Sequence, residues 1–440
     1  MANSYLSKTP NAGNRRTWTL SLWFKRSGLT NGGLFVAGTS GGNEGTIRLE
    51  GDKVDWQEYN ASNTTTEGQL LTNQLLRDTS AWYHLVCAWD STNSTAGDRM
   101  KMYINGSRVT SFTNDNNPPL NYDSEINAND IHNIGRQSWN SSSYFDGYMS
   151  HVAFVDGQAL APTVFGEVDS TSGIWKFKQP SGVTWGNNGV HLKFENSGNL
   201  GLDSSGNSNT FTVNGNGRQA VDTPSNVYAT MNSIVPSSSI VFSQGNNTIT
   251  GSVSDNYSAN NIASLGASSG KWYWEVKYTT ANANVNPTVG IATMENYRAD
   301  VNNTTETGYA VVRFDGEIQV NGSNAGSSYW GSNPVAGDII MFALDMDNGK
   351  FYLGKNGTWE NSGVPTSGST GTGSITSSLS GTQAPCIRYL AAKFDTNFGN
   401  GYFGITAISS AGSNGNGSLF EYDVPSGYYA LNTKNINTYG

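Results

Sequence analysis

The acidic run that comes nearest to a hydrolytic arrangement is Asp52-Lys53-Val54-Asp55-Trp56-Gln57-Glu58. Sugar hydrolysis needs two carboxylates held about 5 to 9 Å apart across the scissile bond. The spacing in this run is wrong for such a pair, and the acids read as solvated turn and strand residues. The four histidines, His84, His132, His151 and His191, are scattered and lie mostly within strand patterns. None falls in a His-x-x-His or Cys/His spacing that would hold zinc. No Gly-Lys-Ser/Thr phosphate loop is present, and no Ser/His/Asp constellation follows from spacing. Cys87 and Cys386 read as buried free thiols, because a disulfide framework would use many more cysteines.

What remains is recognition by aromatic rings in polar loops. Rings stack on the apolar faces of sugars, while Asn, Ser and Asp exchange hydrogen bonds with hydroxyls. Trp139 sits in Arg136-Gln137-Ser138-Trp139-Asn140-Ser141-Ser142-Ser143, and Tyr329 and Trp330 sit in the Gly/Ser/Asn-rich run from Asn321 to Asn333. Trp359 follows Lys355-Asn356-Gly357. These four are the candidate ligand-binding residues, with packing on their own domain or on a partner chain as the alternative.

The elements that must carry them are strands. In Thr17-Trp18-Thr19-Leu20-Ser21-Leu22-Trp23-Phe24-Lys25, apolar Trp18, Leu20, Leu22 and Phe24 recur with period two, which places one face on a core. Trp82 to Trp89 is apolar on both faces apart from His84 and reads as a central strand. Asn105-Gly106 supplies the positive φ angles of a two-residue hairpin turn inside 99–109. Tyr144 to Val155 is another strand pattern, and Gln158 to Phe165 reads as one short turn. In the second half, Trp272, Trp274, Val276 and Tyr278 share one face of Lys271–Tyr278. Further strands are expected at Thr288 to Ala292, Tyr309 to Phe314, Asp338 to Met346 and Lys350 to Leu353. Thr366 to Ser380, almost wholly Gly, Ser and Thr, reads as an exposed loop. Strands separated by turns, with no interleaved helices, predict an all-β protein of two antiparallel sandwiches. The expected organisation is 1–165 as the first sandwich and 166–237 as a connecting β segment that packs on the neighbouring sandwiches. The second sandwich is expected at 238–424 and a tail at 425–440.

With 440 residues, 13% charged residues and 52 glycines, the chain has room for two cores and exposes polar, uncharged loops. Its 12 Trp, 21 Tyr and 17 Phe are incompatible with disorder. A net charge of −9 without a Lys/Arg cluster excludes nucleic-acid binding as an expectation. No segment approaches the ~20 apolar residues of a membrane helix. The first residues, Met1-Ala2-Asn3-Ser4-Tyr5, lack the basic and apolar regions of a signal peptide, so ordinary export is not expected.

The first ~160 residues resemble laminin-G-like domains of the concanavalin A-like superfamily. The resemblance rests on Trp18-Thr19-Leu20-Ser21-Leu22-Trp23-Phe24, Ala81-Trp82-Tyr83-His84-Leu85-Val86, Met102-Tyr103-Ile104-Asn105-Gly106, and Phe145 to Val152 followed by Asp156-Gly157. Residues ~238 to 424 resemble a SPRY domain through Gly270 to Val276, Val289-Gly290-Ile291-Ala292, Gly337 to Ile340, Ala343 to Lys350, Lys355-Asn356-Gly357 and Asn397-Phe398-Gly399. Glycosidases of the first superfamily that resemble laminarinases carry Glu-x-Asp-x-x-Glu on one strand. That run is absent here, so no catalytic residue is expected. The resemblance also implies calcium as an optional ligand, with Asp52, Asp55, Asp90 and Asp98 as candidates and plain turn residues as the alternative.

The pairing of the two domains is similar to that in tail-fibre and appendage proteins of tailed bacteriophages of marine bacteria. Ser4 to Pro10, Asp156 to Pro162 and Asp222-Thr223-Pro224-Ser225-Asn226 fit that group. The resemblance implies a virion surface protein, and host lysis would release it without a signal peptide. It would bind a host surface glycan or protein, would not insert into membranes, and would form a homo-oligomer. A structural decoration subunit that binds other virion proteins is the alternative.

Overall fold

The computed structural model describes residues 3–39, 42–62, 64–138, 143–234, 240–251, 261–280, 287–295, 308–376, 379–388 and 392–440. It divides into two compact units, Met1–Ser225 and Asn226–Gly440.

The first unit is a pair of antiparallel sheets. An eight-stranded sheet runs in the order Phe112–Asn116, Thr65–Thr72, Lys53–Asn60, Glu44–Glu50, Gly32–Gly38, His132–Ile134, Tyr5–Lys8, Thr212–Asn214. A six-stranded sheet runs in the order Val190–Leu192, Gly147–Asp156, Thr17–Arg26, Trp82–Asp90, Met100–Ile104, Ser107–Arg108. The period-two pattern sends Trp18, Leu20, Leu22 and Phe24 into the core between the sheets. Trp18 pairs across the ladder with Trp89, and their rings stack at 5.9 Å. Trp56 from the opposite sheet closes the group at 5.5 Å from Trp18 and 6.0 Å from Trp89. The Asn105-Gly106 turn forms as expected, with φ of 48° and 79°.

The segment expected to connect two sandwiches, 166–237, is divided between the units. Val190–Leu192 adds an edge strand to the six-stranded sheet, and Thr212–Asn214 adds one to the eight-stranded sheet. Burial of Phe211 in the first core accounts for this, because a free connector would leave that ring in water. Lys25 and Asp222 form a buried ion pair at 2.7 Å, and Trp82 Nε1 donates to the same carboxylate at 2.8 Å.

The second unit also pairs two sheets. One runs in the order Ile240–Ser243, Thr248–Gly251, Lys393–Asn397, Lys271–Thr280, Ile339–Asp345, Lys350–Lys355, Thr358–Trp359. The other runs in the order Asn261–Ile262, Gln383–Arg388, Thr288–Thr293, Tyr309–Arg313, Ile318–Val320, Ser323–Gly326. Trp272, Trp274, Val276 and Tyr278 all face the core, as their alternation predicts. Glu275, on the opposite face, is buried and accepts hydrogen bonds from Tyr273 Oη, Asn397 Nδ2, Glu421 N and Tyr422 N. It thereby fastens the chain around residue 421 to the sheet. Burial still pushes its carboxyl up to about 7.

The segment expected as a tail is structured. Tyr429–Ala430 joins Lys271–Thr280 as a parallel strand, and Thr433–Tyr439 is a helix. The Asn432 side chain accepts from Asn435 N at 2.9 Å, which supplies the N-cap. Among the described residues no helix is long and apolar enough to cross a membrane.

Candidate binding sites

Tyr329 and Trp330 lie inside the second unit, each 5% exposed. This corrects the expectation that their polar loop displays them. Tyr329 Oη donates to Leu353 O and accepts from Leu353 N, at 3.2 and 3.1 Å. Trp330 Nε1 donates to Arg313 O at 2.9 Å, and its ring meets Phe314 edge-on at 6.2 Å. Their polar atoms are satisfied by backbone, so the rings are buried at little polar cost and anchor the loop to the core. Trp359 is half-buried on the short strand Thr358–Trp359, edge-on to Tyr273 at 6.4 Å. Trp139 lies outside the described residues.

Asp55 and Glu58 are three residues apart on Lys53–Asn60 and point to opposite faces of their sheet. Glu58 shares the inward parity of Trp56 and accepts from Ser124 Oγ at 2.7 Å and Glu125 N at 2.9 Å. Burial pushes its carboxyl up to about 8. Asp55 pairs with Arg48 at 2.7 Å and accepts from Gln69 at 2.9 Å. Burial raises its pKa, and the Arg48 charge opposes that shift. The two acids share no cleft.

The calcium candidates are likewise dispersed. Asp52 pairs with Arg77, Asp98 with Arg108 and Lys101, and Asp90 accepts from Thr92 within a turn. Among the described residues, no group of three or more His, Cys, Asp or Glu is placed to hold a metal. Cys87 and Cys386 are both buried. His84 and His132 have both ring nitrogens engaged, whereas His151 Nδ1 and His191 Nε2 are buried without a hydrogen-bond partner.

An open site with convergent polar groups lies in the second unit. A cavity of about 470 Å³ is lined by Thr293, Glu295, Tyr309, Asn321, Ser380 and Gln383, with Val320 and Leu379 supplying apolar surface. Local hydrogen bonds hold the lining in place. Asn321 Oδ1 accepts from Gly308 N at 2.6 Å, and Tyr309 Oη accepts from Gly322 N at 2.9 Å. The Glu295 carboxylate accepts from Thr382 N at 3.2 and 3.3 Å, and hydrogen bonding to the Thr382 side chain is the main cause that lowers its pKa. Gln383 is buried. Its Nε2 donates to Thr293 Oγ1 at 3.2 Å and Ser380 O at 2.7 Å, while its Oε1 has no partner. The lining comes from the ends of four strands and from the chain near residue 380, so no spacing in the sequence points to it.

Residues 2–164 match a family model described as the concanavalin A-like lectin/glucanases superfamily. No curated protein matches the chain. Among solved structures, the SPRY domain of human HERC1 is similar at 21% identity, covering 36% of this chain and 91% of that one, with a TM-score of 0.27. A heptameric SAP-like pentraxin from Limulus polyphemus is similar at 19% identity, covering 43% and 86%, with a TM-score of 0.30. Domain 4 of AbnA, a GH43 extracellular arabinanase from Geobacillus stearothermophilus solved with arabinotriose, is similar at 20% identity, covering 34% and 65%, with a TM-score of 0.25.

Proposed function

We propose that this protein binds a glycan without cleaving it, and that the cavity of the second unit is where the ligand sits. The observation that carries this reading is the lining itself: amides, hydroxyls and one carboxylate beside Val320 and Leu379. Such a surface pairs with neutral hydroxyls and with the apolar faces of sugar rings. Among the described residues that line it there is no Lys, Arg or His. The opposed faces of Asp55 and Glu58 support binding without hydrolysis, since a glycosidase holds its two carboxyls on either side of one bond. Under this reading the protein is a virion appendage that attaches a bacteriophage to its host surface. Repeated copies in a homo-oligomer would turn weak single-site binding into avidity.

A glycan array with wild-type protein and Ser380→Trp tests the proposal. Ser380 is exposed at the cavity, so an indole there fills the space without entering the core. Wild-type binding that Ser380→Trp abolishes is the expected result. Equal binding by both, or no glycan bound by wild type, would remove the reading.

A second reading, assembly with other virion proteins, is favoured by one hairpin of the first unit. Val168 and Ile174 there are 61% and 66% exposed. Copy number per particle separates the readings: hundreds of copies fit decoration of a capsid, and a few tens fit a tail appendage.

A further inference from the structure

Three of the four histidines lie on the outer face of the six-stranded sheet in the first unit, and one covering segment meets all three with aromatic rings. His84, His151 and His191 come from the strands Trp82–Asp90, Gly147–Asp156 and Val190–Leu192. Trp175, Phe177 and Trp185 come from residues 162–185. The Trp175 ring lies 6.0 Å from His84 at 19°, Phe177 lies 3.6 Å from His151 at 11°, and Trp185 lies 5.7 Å from His191 at 20°. Trp23 stacks on the other face of His84 at 4.6 Å.

We propose that residues 162–185 form an acid-released strap over this sheet, latched by the three histidine–aromatic stacks.

The latch requires neutral imidazoles. Trp175 Nε1 donates to His84 Nδ1 at 2.9 Å, so Nδ1 bears a lone pair and Nε2 donates to Ser21 Oγ at 2.8 Å. Protonated His84 would set two N–H groups against each other. His151 Nδ1 and His191 Nε2 are buried without partners, and the two rings are 5.7 Å apart. A charged imidazolium needs both nitrogens satisfied, and two charges at that distance repel. Ring stacking favours a cation by roughly 0.5–2 kcal/mol, too little to offset burial of an unpaired charge.

The facing charges act in the same direction. Burial lowers His84 to about 3. Burial, His191 and Lys193 lower His151 to about 4, and burial and Lys193 lower His191 to about 4, with Asp203 opposing. On the strap itself, Lys176 pairs with Asp169 and Glu167, and along the sheet Lys25 pairs with Asp222.

Among the described backbone hydrogen bonds, one ties the strap to the sheet, from Asp156 N to Trp185 O at 2.9 Å. Gly166–Val168 and Trp175–Phe177 pair only with each other and join neither large sheet. The Trp175 indole rests on two glycines: an added Cβ would come within 2.6 Å of it at Gly106 and 2.5 Å at Gly166. On the strap's inner side its own Phe165 packs with Val86, Ala153 and Val155 of the sheet. Opening would bare that apolar strip.

Folded pKa values below the ordinary histidine value mean that closure is stable above about 6.5 and is lost as pH falls toward 4. With three protons taken up on opening, the opening constant rises up to about a thousandfold per pH unit inside that window. Hydrogen exchange of the full chain, with labelling times scaled for the intrinsic pH effect, measures it. Amides in 166–177 should lose at least a hundredfold protection between pH 7 and 4.5, and Thr17–Arg26 and Trp82–Asp90 should lose much less, in step with the smaller net proton uptake of the whole unit. His191→Phe keeps the stack and deletes one titration, so the pH slope should drop by about tenfold per unit. Unchanged strap protection, an equal loss in the flanking strands, or an unaltered slope in His191→Phe would overturn the proposal. If that variant does not fold, wild-type imidazole NMR titrations decide. Resonances that move with the strap opening support it, and a ring among the three that titrates near 6.5 while the strap stays closed contradicts it.

Discussion

The two units share an architecture and treat polarity in opposite ways. Each packs a large sheet against a six-stranded one around its own aromatic core. The first unit contains all four histidines and stacks aromatic rings over one outer sheet face. The second contains no histidine and has a cavity edged by amides and hydroxyls. The same scaffold therefore serves as a sealed, proton-sensitive body in one case and as a mouth with convergent polar groups in the other. The difference lies in what covers the sheets, which is where function is placed on β-sandwiches.

The largest effect expected from a single change tests the sealed body. Asp222→Ala leaves Lys25 buried without its counter-charge and Trp82 Nε1 without its acceptor. Denaturant unfolding read by first-unit probes should show a loss of about 3–5 kcal/mol. A loss below ~1 kcal/mol would mean that this contact does not tie residue 222 to the sheet.

Acid should separate the units next. Burial lowers His84, His132, His151 and His191 to about 3 or 4, and the Lys193 charge adds to the shift of His151 and His191. In the first unit they act against four acids that burial raises, Glu44 to about 7, Glu58 to about 8, and Asp55 and Asp146 by smaller shifts than those of the histidines. The net result between pH 6.5 and 4.5 is lower stability of the first unit on acidification. The second unit moves the other way. Glu275, raised to about 7 by burial, is protonated in the folded state where the unfolded chain has already ionised. Its stability should therefore fall as pH rises from about 4.5 to 7, and Glu275→Gln should flatten that slope. Unit-resolved hydrogen exchange at pH 4.5, 6 and 7.5 reads both signs. Parallel behaviour of the two units would break the comparison.

Much of the scaffold is legible in the amino-acid sequence. The period-two runs at Trp18–Phe24 and Trp272–Tyr278 place their aromatics in two cores, and Asn105-Gly106 makes its hairpin. The sites are harder to read, for identifiable reasons. Tyr329 and Trp330 sit among polar neighbours, and local polarity says nothing about a backbone carbonyl 17 residues away that satisfies the indole. The strap depends on partners from three strands distant in sequence, so its periodicity is invisible. The cavity draws on separate chain segments in the same way. The C-terminal helix does carry a local signal, the capping residue Asn432 before Thr433, which marks a helix start where a tail was expected.

The smallest effect expected concerns the corrected aromatics. Tyr329→Phe removes one hydroxyl that both donates to and accepts from Leu353, and it should cost about 1–2 kcal/mol in the second unit. Any glycan binding should survive, because the ring is core and not contact surface. Lost binding at unchanged stability would return Tyr329 to the ligand site.

The central claim is that the cavity of the second unit binds a glycan and leaves it intact. The most direct measurement is backbone NMR of the labelled chain with a defined oligosaccharide that binds on the array, followed by chromatography of that sugar. The account predicts shifts concentrated at Thr293, Tyr309, Asn321 and Ser380–Gln383, with the oligosaccharide recovered at its original length. Shifts centred on Asp55 and the outer face of the eight-stranded sheet, or a shortened oligosaccharide, would contradict it.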